Sequence, residues 1–205
     1  MGLPPSRIVA GAMLVLALTT GVVFAPSLHG GFLYDDFYLI ETNPALRAPG
    51  SLAHYLGSPL FAGVESSQAQ RWAAGGTQYW RPFIKLVLWA QFRLFGTHPH
   101  GWHAVALGVH IASVLLAFAW LRRRLASRSP AGARGRDTVL AAAGAAALFA
   151  LHPSRAEAVA WISGTADLWM GFWVLVGLHF WDRGSRPAAV AADGPPARGP
   201  RPRCN

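Results

Sequence analysis

At 205 residues, with 53% hydrophobic and only 13% charged side chains, the chain carries about half the charge of an ordinary soluble domain and reads as a membrane protein. Its net charge of +9 does not point to nucleic acid, because the arginines cluster just outside apolar runs instead of lining one polar face. One cysteine, Cys204, excludes an internal disulfide and a cysteine-based metal site.

Ile8 to Ala25 is the first long uncharged stretch, and at a helical rise it spans roughly 27 Å, enough for a bilayer core. A secretory signal is the competing reading. Pro26 falls where cleavage would occur, and the apolar run exceeds a signal's core, so an uncleaved anchor is expected. A mixed segment follows over residues 27–101, rich in turns, prolines and aromatics. Within it, Phe83 to Phe95 places Phe83, Leu86, Val87, Ala90 and Leu94 at helical spacing but carries Lys85 and Arg93, which predicts a helix lying in the membrane interface.

Trp102 to Leu121 is a second span, followed by Arg122, Arg123, Arg124, Arg128, Arg134 and Arg136 in one short loop. The positive-inside rule makes that loop cytoplasmic. Thr138 to Leu151, dominated by Ala and Gly, predicts a third, short span with close helix packing. His152 precedes Pro153 and should end it, since proline pushes its predecessor out of helical geometry. Leu168 to Trp181 is a fourth apolar run, closed by Asp182 and Arg183. The expected fold is therefore an all-α polytopic bundle of about four spans (8–25, 102–121, 138–151 and 168–181), with both termini cytoplasmic. The long loop 27–101 and the connection 152–167 face the other side. Residues 1–183 form the membrane module. The segment 184–205, made of Pro, Gly, Ala and Arg, is expected to be a disordered tail.

Both outward segments carry acidic residues. Asp35 and Asp36 are adjacent, and neighbouring carboxylates repel unless a divalent cation joins them or one holds a proton. Either state suits chemistry, as a metal site or a general base, whereas a bare pair alone is as readily a solvated turn. Arg81, just ahead of the interfacial helix, could hold a phosphate or serve as a plain interfacial anchor. In the second segment, Ser154 and Glu157 fit a capping box. His152 is a ligand or orienting candidate, or a satisfied buried histidine. Asp167 lies about 16 Å along an unbroken helix from Ala156, deep in the bilayer, or stays at the surface if Gly164 breaks that helix. An ion path through Asp167 and Glu157 would need a polar stripe across the spans, and only His110 and Ser113 of the second span offer one.

The stretches "GFLYDDFYLIETNP", "YWRPF" and "ALFALHPSRAEAVAWISGTADL", in that order, resemble the membrane O-mannosyltransferases that carry tetratricopeptide repeats, of the GT-C superfamily. The resemblance runs from about Gly30 to Leu178. It implies a multi-span helical glycosyltransferase moving a sugar, expected to be mannose, from a polyprenyl or dolichyl phosphate; the bias toward Ala, Gly, Arg and Pro separately points to the inner membrane of a bacterium. The acceptor would be Ser or Thr of a translocated protein, with inversion. Carried onto this chain, one of Asp35 and Asp36 is the base, and the pair could bind a divalent metal. Arg81 and Arg155 hold the leaving phosphate, while His152, Glu157 and Asp167 complete the site from the second loop. The chain departs from the family at Arg155, where a second histidine is usual, and at Thr165, often arginine. The family also continues with further spans and a repeat domain where this chain turns to Pro/Arg/Ala sequence. A shortened, non-catalytic membrane protein, an assembly partner or remnant, is therefore the alternative.

Overall fold

The computed structural model describes residues 5–47, 52–62, 79–128 and 135–184, and these are helical with no strand among them. The tail expected to be disordered lies outside the described residues.

Helix α1 (Pro5–Phe24) opens on a proline, whose fixed φ suits a first helical position. A 3₁₀ turn (Ala25–His29) takes over where Pro26 interrupts the ladder, and Ser27 Oγ donates to the Phe24 carbonyl at 2.7 Å. A π-helical turn (Phe37–Glu41) and two short helices, α2 (Pro44–Arg47) and α3 (Leu52–Gly57), follow in the segment that carries the aspartate pair. Helix α4 (Pro82–Phe95) starts on Pro82, one residue before the predicted stretch, and stops at Gly96, whose φ of +57° favours glycine. Helix α5 (Pro99–Arg128) is longer than the predicted span and carries the Arg122–Arg124 cluster on a helical turn instead of a loop. Helix α6 (Arg136–Leu151) ends at His152 in extended geometry (ψ 132°), as the following proline requires. The short α7 (Arg155–Ala160) and the long α8 (Thr165–Gly184) complete the chain.

Helices α1, α5, α6 and α8 pack as a bundle. Leu16 of α1 meets Val114 and Phe118 of α5 and the Ala142–Ala146–Ala150 stripe of α6. Those alanines recur at four-residue spacing, so one face of α6 is small enough for close approach, the arrangement that drives helix association in lipid. Running directions follow from contacts at the two ends. Ile8 and Leu125 share one cluster, while Phe24 stacks edge-on against His110. Thus α1 opposes α5. His110 Nε2 lies 3.0 Å from the Ala150 carbonyl, near the end of α6, while Val139 joins the cluster with Phe118, so α6 also opposes α5. Leu168 packs with Ala106, and Asp182 pairs with Arg124, so α8 runs with α5. The arginine-rich end of α5 and the start of α1 therefore lie at one end of the bundle, with the aspartate loop and α7 at the other.

By length and composition, Ser6–His29 and Pro99–Arg128 are long and apolar enough to cross a membrane. Leu14, Val15, Leu18 and Val22 leave half or more of their surface uncovered on α1, which suits lipid. Helix α4 is turned inside out relative to its pattern. Phe83, Leu86 and Leu94 of its apolar stripe are exposed, whereas Lys85, Leu88 and Gln91 are buried. A surface helix facing lipid should do this.

Lys85 explains how a cation can sit inside. Its Nζ donates to the Ser58 carbonyl (2.9 Å), Ser58 Oγ (2.6 Å) and the Pro59 carbonyl (3.2 Å), and lies 4.1 Å from the Tyr55 ring centroid. It thereby locks α4 to the loop after α3. Lys85→Ala leaves those acceptors without their donor and opens a void, and should cost about 2–4 kcal/mol. Thermal unfolding in detergent checks this, and an unchanged midpoint would refute it.

Candidate active site

The aspartate loop is shaped by a closed pair of hydrogen bonds. The Asp36 amide donates to the Leu33 carbonyl (2.9 Å), and the Leu33 amide donates to Asp36 Oδ2 (3.0 Å). Between them Tyr34 adopts a φ of +47°, a conformation that a bulky residue takes only under constraint. Its ring meets Trp161 edge-on at 6.4 Å.

The two carboxylates have separate environments. Asp36 is fully buried, and its Oδ1 accepts the Ser163 amide at 2.7 Å and a short bond from Ser163 Oγ. It joins residues 127 positions apart, the aspartate loop to the turn before α8. Asp35 is half-buried and lines an open cavity of about 340 Å³ together with Tyr79, Arg81, Trp161, Ser163 and Asp167. Burial first, and the Asp36 charge second, push the Asp35 carboxyl above the ordinary carboxylate range.

Arg81 reaches the same cavity from just before α4. It is exposed, with its guanidinium 5.0 Å from the Tyr79 ring centroid. Gly164 breaks the chain between α7 and α8. A Cβ there would stand 3.0 Å from Trp161 Cε3 and 3.2 Å from its carbonyl oxygen, so a larger residue would have to push Trp161 back from the turn. The break settles the placement of Asp167. It lies in the first turn of α8, exposed and lining the cavity, rather than deep along a continuous helix.

Of the residues singled out in the sequence, Asp35, Arg81 and Asp167 come together, with Asp36 immediately behind. His152, Arg155 and Glu157 stand outside the cavity lining. His152 Nδ1 pairs with Ser154 Oγ at 2.8 Å, Arg155 lies over the Phe149 ring at 5.5 Å, and Glu157 is exposed. The capping box does not form, since Ser154 makes no side-chain cap and its hydroxyl is taken by His152. Ser163 is the partner that sequence reading missed. A lone serine in a Ser-Gly-Thr turn carries no signal of a contact so distant in sequence.

A divalent ion finds a poor donor set here. Both Asp36 oxygens accept protein hydrogen bonds, and no cluster of three or more His, Cys, Asp or Glu side chains occurs among the described residues. Of the Asp35–Asp36 pair, Asp36 is thus committed to the protein, and a metal role would fall to Asp35.

The chain is 33% identical over 152 residues to the protein O-mannosyl-transferase Tmtc1 of Drosophila melanogaster, which covers 72% of this chain and 15% of that protein. It is 30% identical to the human protein O-mannosyl-transferase TMTC1 over 164 residues (78% of this chain, 16% of the relative). The human protein O-mannosyl-transferase TMTC4 is 33% identical over 164 residues (77% of this chain, 21% of the relative). The chain thus spans about one fifth or less of the length of these relatives. All three are animal proteins, so they lend no support to a bacterial source. No family profile matches the chain, and no solved structure matches it.

Proposed function

The chain is related to the N-terminal part of the protein O-mannosyl-transferases, and on that footing we propose that it supplies the acceptor-activating half of a membrane glycosyltransferase site. The observation that carries this reading is the division of labour in the aspartate pair. Asp36 is buried as a brace, while Asp35 opens into a cavity beside a guanidinium and a second carboxylate.

In this reading the donor is mannose on a polyprenyl phosphate, and the acceptor is a Ser or Thr hydroxyl of a protein. The hydroxyl oxygen attacks the anomeric carbon while its proton passes to Asp35. The bond from that carbon to the lipid phosphate breaks, and its electron pair leaves with the phosphate. One displacement inverts the anomeric centre. A carboxyl held above its ordinary range is a better proton acceptor, which suits Asp35 to the role. Asp167, which lines the same cavity, would bind sugar hydroxyls. Arg81 is the cavity's guanidinium, the group able to stabilise the departing phosphate.

Four crossings with the site outside agree with the arginine-rich end of α5 lying opposite the aspartate loop. Arg155 and His152 do not line the cavity, and this reading gives them no part in the displacement.

Labelled mannose transfer from polyprenyl-phosphate-mannose to a Ser/Thr peptide, in membranes containing the protein, tests the reading. Absence of transfer with folded protein would overturn it. Arg81→Gln should lower kcat/KM for the donor by roughly 10- to 100-fold, with Arg81→Lys intermediate because it keeps charge but not the bidentate fork. Equal efficiency of all three would remove Arg81 from the phosphate site.

A further inference from the structure

His103 sits in the first turns of α5 with 1% of its surface exposed, and neither ring nitrogen makes a hydrogen bond of good geometry among the described residues. A buried imidazole left in this state costs free energy, so its retention calls for an explanation. Its surroundings are specific. A Cβ on Gly30 would stand 2.9 Å from His103 Nε2 and 3.2 Å from Cε1, so the loop backbone lies directly against the ring. The backbone of Gly31 is also alongside, and the Asp36 carboxylate is within electrostatic reach. Gly30 is thus required as a glycine for contact, since a methyl group would strike the imidazole. Its amide is already fixed by the Ser27 carbonyl at 2.9 Å.

The ring is therefore enclosed between α5 and the strand-like entry to the aspartate loop, at the point where the chain leaves the 3₁₀ turn. The chain enters the aspartate loop past this contact, while Ser163 fixes Asp36 from the other side. Phe32 and Trp102 pack edge-on beside it at 6.2 Å, which keeps α5 and the loop in register but offers no polar grip. His103 is the polar group there.

We propose that His103 is a positioning residue for the aspartate pair: its imidazole packs directly against the Gly30–Gly31 entry, keeping the loop in the geometry that presents Asp35 to the cavity. The kinetic half of this proposal rests on the glycosyltransferase reading, and the structural half does not.

The test compares wild type with His103→Phe, which keeps the volume and removes both nitrogens, and His103→Gln, which retains a hydrogen-bonding group near Nε2. Gly30→Ala disturbs the same contact from the other side. Amide hydrogen exchange is measured on peptides containing Leu33 and Ser163, whose amides bind Asp36. His103→Phe and Gly30→Ala should speed exchange in both peptides while the bundle helices stay protected, with His103→Gln close to wild type. In the transfer assay His103→Phe should lower kcat roughly 10- to 100-fold with donor KM little changed, as expected when a reacting group is displaced by about an ångström. Gln should recover part of it. Wild-type exchange and turnover in His103→Phe would overturn the proposal. So would losses in Phe and Gln alike that merely follow global melting. If wild type itself transfers no sugar, the functional reading fails, and the exchange experiment still decides the role of His103.

Discussion

Replacing Asp36 by Ala should loosen both outward segments at once. Three donors, the Leu33 and Ser163 amides and Ser163 Oγ, converge on the two oxygens of its fully buried carboxylate. Removing the acceptor leaves them unpaired at about 1–3 kcal/mol each, so the total should be about 3 kcal/mol or more after relaxation. For a chain of this size that lowers the melting midpoint by roughly 6–12 °C. Asn is no substitute, because its amide nitrogen would face a donor on one side. Ser163→Ala removes part of the same network, so Asp36→Ala and the double variant should melt close together, well short of additivity. Additive losses would show that the Asp36–Ser163 bridge does not exist.

Asp35→Asn should behave in the opposite way. The Asp35 carboxyl is held above its ordinary range, by burial first and by the Asp36 charge second, so folding favours its neutral form. With a raised folded pKa, ionisation works against folding, and that cost enters as pH rises through the ordinary carboxylate range toward the folded value. At neutral pH the neutral amide should therefore melt no lower than wild type. Activity should fall by roughly 10²- to 10⁴-fold, the usual scale for a lost general base. The wild-type rate should drop on acidification at a pH above the ordinary carboxylate value, with that limb absent from the residual Asn activity. A protein destabilised by Asp35→Asn at neutral pH would contradict the assignment of Asp35 as the open member of the pair.

Much of the architecture was legible because the apolar runs are long and their ends are marked chemically. Pro82, Pro153 and Gly96 stop or start helices by backbone geometry that no tertiary contact overrides. Helix extents at α5 and α8 were underestimated, since hydropathy ends at the arginines and at Asp167 while backbone hydrogen bonding continues through them. Local pattern also misled at Ser154, where the hydroxyl had a better partner in His152 than the helix end. Asp35 and Arg81 could be singled out because unusual charge beside aromatics is visible in one dimension. Their difference from Asp36 was invisible, as it depends on Ser163 in a segment folded back from far along the chain. His103 was hidden for the same reason. In sequence it is one more residue of an apolar span, and its significance comes from Gly30 lying against it.

The most direct test of the account is transfer of labelled mannose from polyprenyl-phosphate-mannose to a Ser/Thr peptide by wild type and Asp35→Asn, matched for folded protein in the same membranes. The account predicts transfer by wild type and its near-complete loss in Asp35→Asn at unchanged melting temperature. Equal transfer by the two proteins would contradict it.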